Sequence, residues 1–220
     1  MSNTDTDKGA AIYSPLVLKL YDWWVLGLSN RFAWECSTRD VLLPFFREHA
    51  GKCHLDVGVG TGFYPAKAEL PASIQFTLMD LNPDSLEAAQ RRLKRSSTKK
   101  VEHDVMDPLP PRTPRGFNSI SLFYLLHCLP GVMSDKAVVF GHLKSRLASD
   151  GVLYGATILG DDIGHNGLGR RLMALYNRKG IFGNKHDTRE GLELALREHF
   201  AEVIVRIEGK VALFEARHPV

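Results

Sequence analysis

Cysteine is scarce in this chain. Cys36, Cys53 and Cys128 are odd in number and widely spaced, which excludes a disulfide framework and a CxxC metal clasp and points to a reducing compartment. Long hydrophobic runs are missing as well: no uncharged apolar stretch reaches about 18 residues, so no transmembrane helix is expected. The polar, acidic start MSNTDTDKG lacks the basic segment and apolar run of a secretory signal. Nor does one charge dominate. Twenty-eight Lys and Arg against 25 Asp and Glu leave +3, too small an excess to argue for a nucleic-acid partner. A soluble, cytoplasmic protein is the expectation.

What remains is an ordinary globular composition, 44% hydrophobic and 24% charged over 220 residues, with no internal repeat, low-complexity tract or second-domain linker. A domain of this length buries roughly 70% of its unfolded surface and needs no covalent or metal staple.

The hydrophobic pattern changes texture near residue 50. From Ile12 to Ala50 apolar residues recur at helical spacing, with Ser14-Pro15 and Ser37-Thr38 as segment starts, so residues 1–50 read as an N-terminal helical cap or lid. Residues 51–220 then alternate strand and helix. His54 to Val57 is a first strand leading into a glycine cluster and a helix to about Leu70; Ile74 to Met79, Lys100 to His103, Phe117 to Phe123 and Gly151 to Ile158 are strands two to five. Pro83 to Arg95 and Ser134 to Leu147 are intervening helices. Such alternation implies right-handed crossovers and a parallel, doubly wound sheet covered on both faces. After a helix at Thr188 to His199, the runs Glu202–Glu208 and Val211–Ala216 are separated only by Gly209-Lys210, which suits a hairpin and therefore one antiparallel strand. Residues 160–187 are too long for a plain connection and read as an insertion over the carboxyl edge of the sheet.

In an open parallel sheet, ligands lie beyond the carboxyl ends of the strands where the strand order reverses. The first strand-to-helix turn, Asp56-Val57-Gly58-Val59-Gly60-Thr61-Gly62, is at such a place, and its glycines permit positive φ and close backbone approach. The spacing is GxGxG. A dinucleotide fingerprint would want its third glycine at position 63, which is Phe63, and a P-loop would want a lysine that the turn lacks. Asp80 ends the second strand, 22 positions after Gly58, where a carboxylate can accept both hydroxyls of a ribose. Its other reading is a helix cap before Pro83, a role Asn82 fills better. Asp104, after strand three, either presents a carboxylate to an adenine amino group or simply shapes the turn Asp104-Val105-Met106-Asp107-Pro108.

Glycine turn, Asp80 and Asp104 together resemble the cofactor site of the class I S-adenosylmethionine-dependent methyltransferases. HLDVGVGTG is similar to the first motif of that family, FTLMDLNPDSL to the second, VEHDVMDPLP to the third, FNSISLFYLLHCLPG to the fourth and LASDGVLYGATIL to the segment around strand five. The resemblance covers roughly residues 53–216. It implies a seven-stranded sheet of order 3-2-1-4-5-7-6 with strand seven antiparallel, and S-adenosylmethionine as cofactor. It further implies that Gly58, Gly60 and Gly62 border the methionine portion, with Asp56 helping to orient the cofactor. Asp80 with Leu81 would hold the ribose, and Asp104 with the Val105 amide the adenine; Phe123 and Tyr124 would lie under the sulfonium and methyl. Asn118 departs from the pattern, which usually has an acid early in strand four.

Methyl transfer is an in-line displacement that needs a positioned nucleophile and a base only if that nucleophile must lose a proton. His127, in Leu125-Leu126-His127-Cys128-Leu129-Pro130-Gly131, follows strand four and should face the pocket mouth. It reads either as the general base or as a buried imidazole satisfying backbone groups of the Pro-Gly turn. A metal-assisted reaction would need carboxylates after strands four and five, which are not there, and Asp161-Asp162 with His165 read as solvated loop residues, so no metal is expected. Of the N-terminal aromatics, Tyr21 and Trp34 are the candidates to line the site. Met173, Tyr176, Asn177 and Phe182 of the insertion are candidates for the substrate wall, although both segments could instead form a homodimer contact. The basic run Arg91-Arg92-Leu93-Lys94-Arg95 closes a helix without interleaved aromatics and reads as a solvated helix end.

The function expected is methyl transfer to an O, N or C nucleophile of a small molecule, similar to enzymes of secondary metabolism, with neither a nucleic acid nor a membrane as partner. A non-methylating relative that keeps the cofactor as a scaffold or assists a pericyclic reaction is the alternative, followed by an NAD(P)-dependent oxidoreductase.

Overall fold

The computed structural model of the protein describes residues 29–95, 97–160 and 163–220. The expected Ser14-Pro15 helix start, Tyr21, and the Asp161-Asp162 pair lie outside them.

Seven strands form one sheet: β1 (Cys53–Val57), β2 (Gln75–Asp80), β3 (Lys99–Glu102), β4 (Phe117–Phe123), β5 (Leu147–Ile158), β6 (Phe200–Glu208) and β7 (Val211–Pro219). Their order is 3-2-1-4-5-7-6, and β7 pairs antiparallel with both β5 and β6. The doubly wound fold read from the sequence is therefore the fold observed. The helices used below are α1 (Leu43–His49), α2 (Phe63–Lys67), α3 (Pro83–Leu93), α4 (Met133–Lys144), α5 (Gly167–Arg178) and α6 (Arg189–Arg197).

Side chains alternate along each strand, so the sheet sorts them to two faces. One face carries Leu55, Ile120, Leu122 and Leu153 into a core built with Val139, Phe140 and Leu143 of α4 and Leu192 and Leu196 of α6. The other carries Phe123, Tyr154, Ala156 and Leu213 against Phe45 and Phe46 of α1 and Leu172 and Met173 of α5, with Phe76 and Leu78 packed on Leu86, Ala89 and Leu93 of α3.

Local signals account for most boundaries. Ser37 accepts from Asp40 N–H at the head of a π-helical turn, Thr38–Leu42, that runs into α1. Asn82 accepts from Asp84 N–H ahead of Pro83, Thr188 caps α6 through Gly191 N–H, and Asn166 caps α5 through Gly169 N–H. The helix after the glycine turn is shorter than its pattern suggested, ending at Lys67. β5 begins four residues early, because Leu147 already pairs with Phe117 before a bulge shifts the register to Ser119↔Val152. Among the described residues no helix is long and apolar enough to cross a membrane.

Candidate active site

The glycine turn is hooked to the end of β2. Gly58 and Val59 N–H donate to Met79 O at 2.8 and 3.3 Å, and Gly62 N–H returns to Val59 O at 2.9 Å. All three glycines have positive φ, but they face different surroundings. A Cβ on Gly58 would meet Leu125 Cδ1 at 2.7 Å and one on Gly62 would meet Ala89 Cα at 2.7 Å, whereas nothing lies within 4 Å of a Cβ on Gly60. The turn is thus pressed between Leu125 and α3, with open space only over Gly60. Gly62→Ala is expected to destabilise the fold by about 2–4 kcal/mol in urea denaturation, combining the left-handed backbone cost with the collision against the α3 backbone.

Asp80 closes the same corner. Its Oδ2 accepts from Gly60 N–H and its Oδ1 from Asn82 N–H, both at 2.9 Å. Burial raises the Asp80 carboxyl above its ordinary range, and the amides of Asn82, Gly60 and Leu81 pull it back. An ionised carboxylate offers about four acceptor positions, more than these three amides occupy. His103 N–H donates to Asp80 O at 3.1 Å, which brings the loop bearing Asp104 beside Asp80. Asp104 Oδ1 accepts from Met106 N–H at 2.9 Å, so it shapes its turn, and the adjacent Val105 is buried. Asp56, 4% exposed, sits at the foot of the turn with its Oδ1 taking the Ser121 hydroxyl hydrogen bond at 2.6 Å. Burial pushes its carboxyl up to about 7, Ser121 opposes the shift and Asp80 adds to it.

An open glycine, a carboxylate aimed by backbone amides and a second, buried carboxylate form one corner at the carboxyl ends of β1, β2 and β3. Residues 55–153 match the family model described as a methyltransferase domain. The YbcY protein of Escherichia coli (strain K12) is 50% identical over 192 residues, covering 87% of this chain and 98% of that protein. The physcion biosynthesis cluster O-methyltransferase of Aspergillus chevalieri is 42% identical over 216 residues, covering 98% of this chain and 97% of that enzyme. This chain belongs to the methyltransferase family. Among solved structures, the DhpI–SAH complex superposes with a TM-score of 0.69 at 13% identity over 99% of this chain and 98% of that one. The N-methyltransferase NodS of Bradyrhizobium japonicum WM9 with S-adenosyl-L-homocysteine gives 0.63 at 18% identity over all of both chains.

In this methyltransferase, β4 ends in a strained residue: Tyr124 has φ 59, and its N–H still pairs with Ala156 O at 2.8 Å. Non-glycine residues in that region persist where the surroundings over-determine them, typically at functional sites. The turn carries the Tyr124 ring to 6.4 Å from Tyr64 and 5.4 Å from His127, while Phe123 packs inward on Tyr64 at 4.6 Å.

His127 is not at a pocket mouth. It is 1% exposed, and its Nδ1 accepts from Ile158 N–H at 3.3 Å. Because a backbone amide can only donate, Nδ1 carries the lone pair and the hydrogen is on Nε2. Burial, reinforced by the Lys136 charge, pushes the imidazole down to about 3. With one nitrogen already accepting and the other protonated, this ring has no free lone pair with which to take a proton, so the general-base reading gives way to the backbone-satisfying one. Its ring also packs on Phe182 at 4.6 Å.

The insertion is brought to the same place. Phe182 touches His127, Tyr176 at 4.9 Å and Trp34 at 6.2 Å, so His127, Tyr124, Tyr176, Phe182 and Trp34 form one continuous aromatic wall beyond β4 and β5. Trp34 is 1% exposed and stands behind Phe182 rather than on an open surface. Met173 and Asn177 are second in line: Asn177 Nδ2 donates to Met173 O at 2.9 Å, and Asn184 Nδ2 approaches Met173 Sδ at 3.7 Å. His165 Nε2 lies 2.9 Å from Gly160 O, so that nitrogen is spent on backbone. Asn118 Oδ1 accepts from Cys53 N–H at 3.0 Å and so fastens the start of β1.

Two fastenings escaped the sequence reading. Arg92 and Arg95, read as part of a solvated helix end, are engaged: Arg92 Nη1 donates to Thr61 Oγ1 at 2.9 Å and lies over Phe63. Arg95 donates to the carbonyls of Leu70, Pro71 and Ile74. The buried pair of Lys136 and Asp187, 2.6 Å apart with both side chains 0% exposed, was also unforeseen. A lysine in a helix gives no sign of being buried until its partner, 51 positions away, is known.

Proposed function

We propose that this protein transfers the methyl group of S-adenosylmethionine to a nucleophile of an aromatic small molecule of secondary metabolism. The observation that carries the cofactor assignment is Asp80, whose carboxylate is oriented by Gly60 and Asn82 N–H at the carboxyl end of β2, where it would accept from the hydroxyls of a ribose. The open space over Gly60 fits the close approach of the adenosyl-methionine portion, and Asp56, buried at the foot of the turn, is the carboxylate that would balance its ammonium. Asp104 and the Val105 amide suit the adenine. Bound there, the cofactor supplies an electrophilic methyl on a sulfonium.

The chain's own contribution is positioning and exclusion of water. Tyr124, presented by its left-handed backbone, and Tyr64 offer ring faces to a cation at the end of β4. Tyr176 and Phe182 supply a flat apolar wall on which an aromatic acceptor can lie near the attack line. The 42%-identical relative is named an O-methyltransferase, and a phenolic hydroxyl is the acceptor that best suits such a wall, since it ionises near neutrality far more readily than an alcohol. His127 holds Ile158 and Phe182 in place and acts as a positioning residue. Accordingly, any inflection in the pH–rate profile near neutrality should persist in His127→Asn, while the melting temperature falls as Ile158 N–H loses its partner, at about 1–3 kcal/mol. An inflection that vanished in this variant would restore the base.

The test is methyl transfer from labelled S-adenosylmethionine to a panel of hydroxylated aromatic polyketides and matched amines, alongside calorimetry with S-adenosylhomocysteine and NAD. Binding of the adenosyl compound and product from a phenol support the reading. Binding of NAD alone overturns it.

A further inference from the structure

The sheet face beneath α1 contains a line of polar side chains that the methyl-transfer chemistry does not call on. Reading from one end, Gly51 N–H donates to Ser119 Oγ at 2.7 Å. Ser119 Oγ is 2.7 Å from His54 Nδ1, and His54 Nε2 is 3.0 Å from Ser121 Oγ. Ser121 Oγ is 2.6 Å from Asp56 Oδ1. The spacing is a product of strand geometry, because His54 and Asp56 of β1 point to the same face as Ser119 and Ser121 of β4. His54 pairs in register with Ser119 and Asp56 with Ser121. All four side chains are buried. Phe46 of α1 packs on His54 at 5.4 Å and Tyr64 of α2 stacks on Phe46 at 5.9 Å, sealing the line from above.

Each link has one hydrogen, and two polarities run through the whole line, one for each charge state of Asp56. When Asp56 is ionised, Ser121 donates to it, His54 donates through Nε2 to Ser121, and Ser119 donates to His54 Nδ1, with the fixed Gly51 N–H feeding the far end. When Asp56 is protonated, its own O–H points at Ser121, Ser121 donates to Nε2, and His54 carries its hydrogen on Nδ1 toward Ser119. His54 stays neutral in both, since burial pushes its imidazole down to about 3. Only its tautomer changes. Burial and the Asp80 charge favour the protonated form of Asp56, whereas Gly51 N–H favours the ionised polarity, in which the Ser119 hydroxyl hydrogen has His54 to receive it. Among the other titratable groups packed on this face, Tyr154 of β5 is held in its neutral form by burial and by Asp56 itself, against the pull of its hydrogen bond with Ser121; its hydroxyl donates to Phe46 O, and His49 of α1, stacked on its ring, pairs with Glu215.

We propose that His54, Ser119 and Ser121 are positioning residues whose hydrogen-bonded line follows the charge of Asp56, so that the cationic end of the cofactor binds with release of the Asp56 proton and a switch of His54 from the Nδ1–H to the Nε2–H tautomer. This rests on the cofactor assignment above. The balance is simple: an ammonium arriving at Asp56 favours the carboxylate, the proton released is the one Asp56 itself carried, and the three hydrogens of the line redistribute behind it; none leaves at the Ser119 end, where Gly51 N–H only donates.

The experiment is ¹⁵N-histidine NMR of the full chain from pH 5.5 to 8.5, without and with S-adenosylhomocysteine, together with calorimetry in two buffers of different ionisation enthalpy. In the ligand-free protein the His54 tautomer should exchange with a midpoint near 7. Saturating ligand should hold it as Nε2–H throughout, with about half a proton released per ligand at pH 7. In Ser121→Ala the tautomer should no longer follow pH. In Asp56→Asn, which cannot ionise, proton release should vanish. A His54 that keeps one tautomer across the range, or ligand binding without proton release, overturns this linkage and leaves the cofactor assignment standing. If the adenosyl compound does not bind the wild type, the cofactor assignment falls and the linkage with it.

Discussion

Asp80→Ala is expected to weaken S-adenosylhomocysteine binding by about 10²–10⁴-fold while the protein stays folded. Hydrogen bonds to a charged acceptor contribute about 1.5–3 kcal/mol each, and a carboxylate that holds two ribose hydroxyls loses both at once. About 1.4 kcal/mol is a factor of ten in affinity, which sets the range. The variant also strips the acceptor from Gly60 and Asn82 N–H. That corner is only half-buried at Asp80 itself, so water can take up part of the loss and a stability cost of about 1–2 kcal/mol is expected. Asp80→Asn separates the two effects. Its amide oxygen can keep one backbone N–H in place, yet it lacks the charge and the second acceptor, so affinity should still fall by at least an order of magnitude with little change in melting temperature. Isothermal calorimetry and a urea denaturation series on the three proteins check this. Affinity within about fivefold of wild type in Asp80→Ala would remove the carboxylate from the cofactor site.

The visibility of Asp80 in the sequence has a physical cause. A parallel strand must deliver its last residue to the carboxyl edge, and the GxGxG turn marks the neighbouring strand, so strand periodicity and one punctuation signal together place the residue in space. The hairpin at Gly209-Lys210 was legible for the same reason: a two-residue link leaves no freedom in how β6 and β7 pair. Where the pattern failed, two signals competed. Strand five reads from Gly151 after a helix ending at Leu147, yet β5 begins at Leu147 itself, because Leu147 finds Phe117 and the bulge absorbs the extra residues. His127 illustrates a different limit. Its place after strand four was right, but only the three-dimensional course of β5 shows that Ile158 N–H occupies its Nδ1.

The polar line beneath the turn was partly legible. His54-x-Asp56 and Ser119-x-Ser121 are polar pairs at a spacing of two inside otherwise apolar strands, which put them on one face of each strand. Nothing in the sequence said that the two faces coincide, or that the strands would register His54 opposite Ser119. Arg92 was hidden for a similar reason. A helix end rich in arginine is usually solvated, and only the close approach of α3 to the glycine turn, with Gly62 against Ala89, brings Thr61 within its reach.

The second large effect is expected at Lys136. Its ammonium, fully buried in α4, donates to Asp187 Oδ2 and at 3.0 Å to Gly183 O, and this tethers residues 182–187 across the ends of β4 and β5. Gly183 N–H donates to His127 O at 2.8 Å, Gly160 N–H to Asp187 O at 2.7 Å and Asn184 Nδ2 to Ile158 O at 2.9 Å, so the tether sets where Phe182 meets the aromatic wall. Lys136→Met should cost about 3–5 kcal/mol, because it leaves Asp187 as an uncompensated buried carboxylate. Burial already raises that carboxyl, and the Lys136 charge is what counters it. The pair is not fully satisfied, since Asp187 Oδ1 is buried without a hydrogen-bond partner among the described residues. Replacing both members by apolar side chains should therefore recover most of the loss: with Asp187→Leu also costing about 3–5 kcal/mol and Lys136→Met/Asp187→Leu within about 1–2 kcal/mol of wild type, the coupling energy across the cycle is at least about 4 kcal/mol. Stability and function should then separate. The double variant keeps the glycine turn and Asp80, so S-adenosylhomocysteine affinity is retained, whereas the acceptor KM rises as Phe182 loses its fixed seat. Additive losses in urea, with KM unchanged in the double variant, would show that the pair neither couples nor positions the wall.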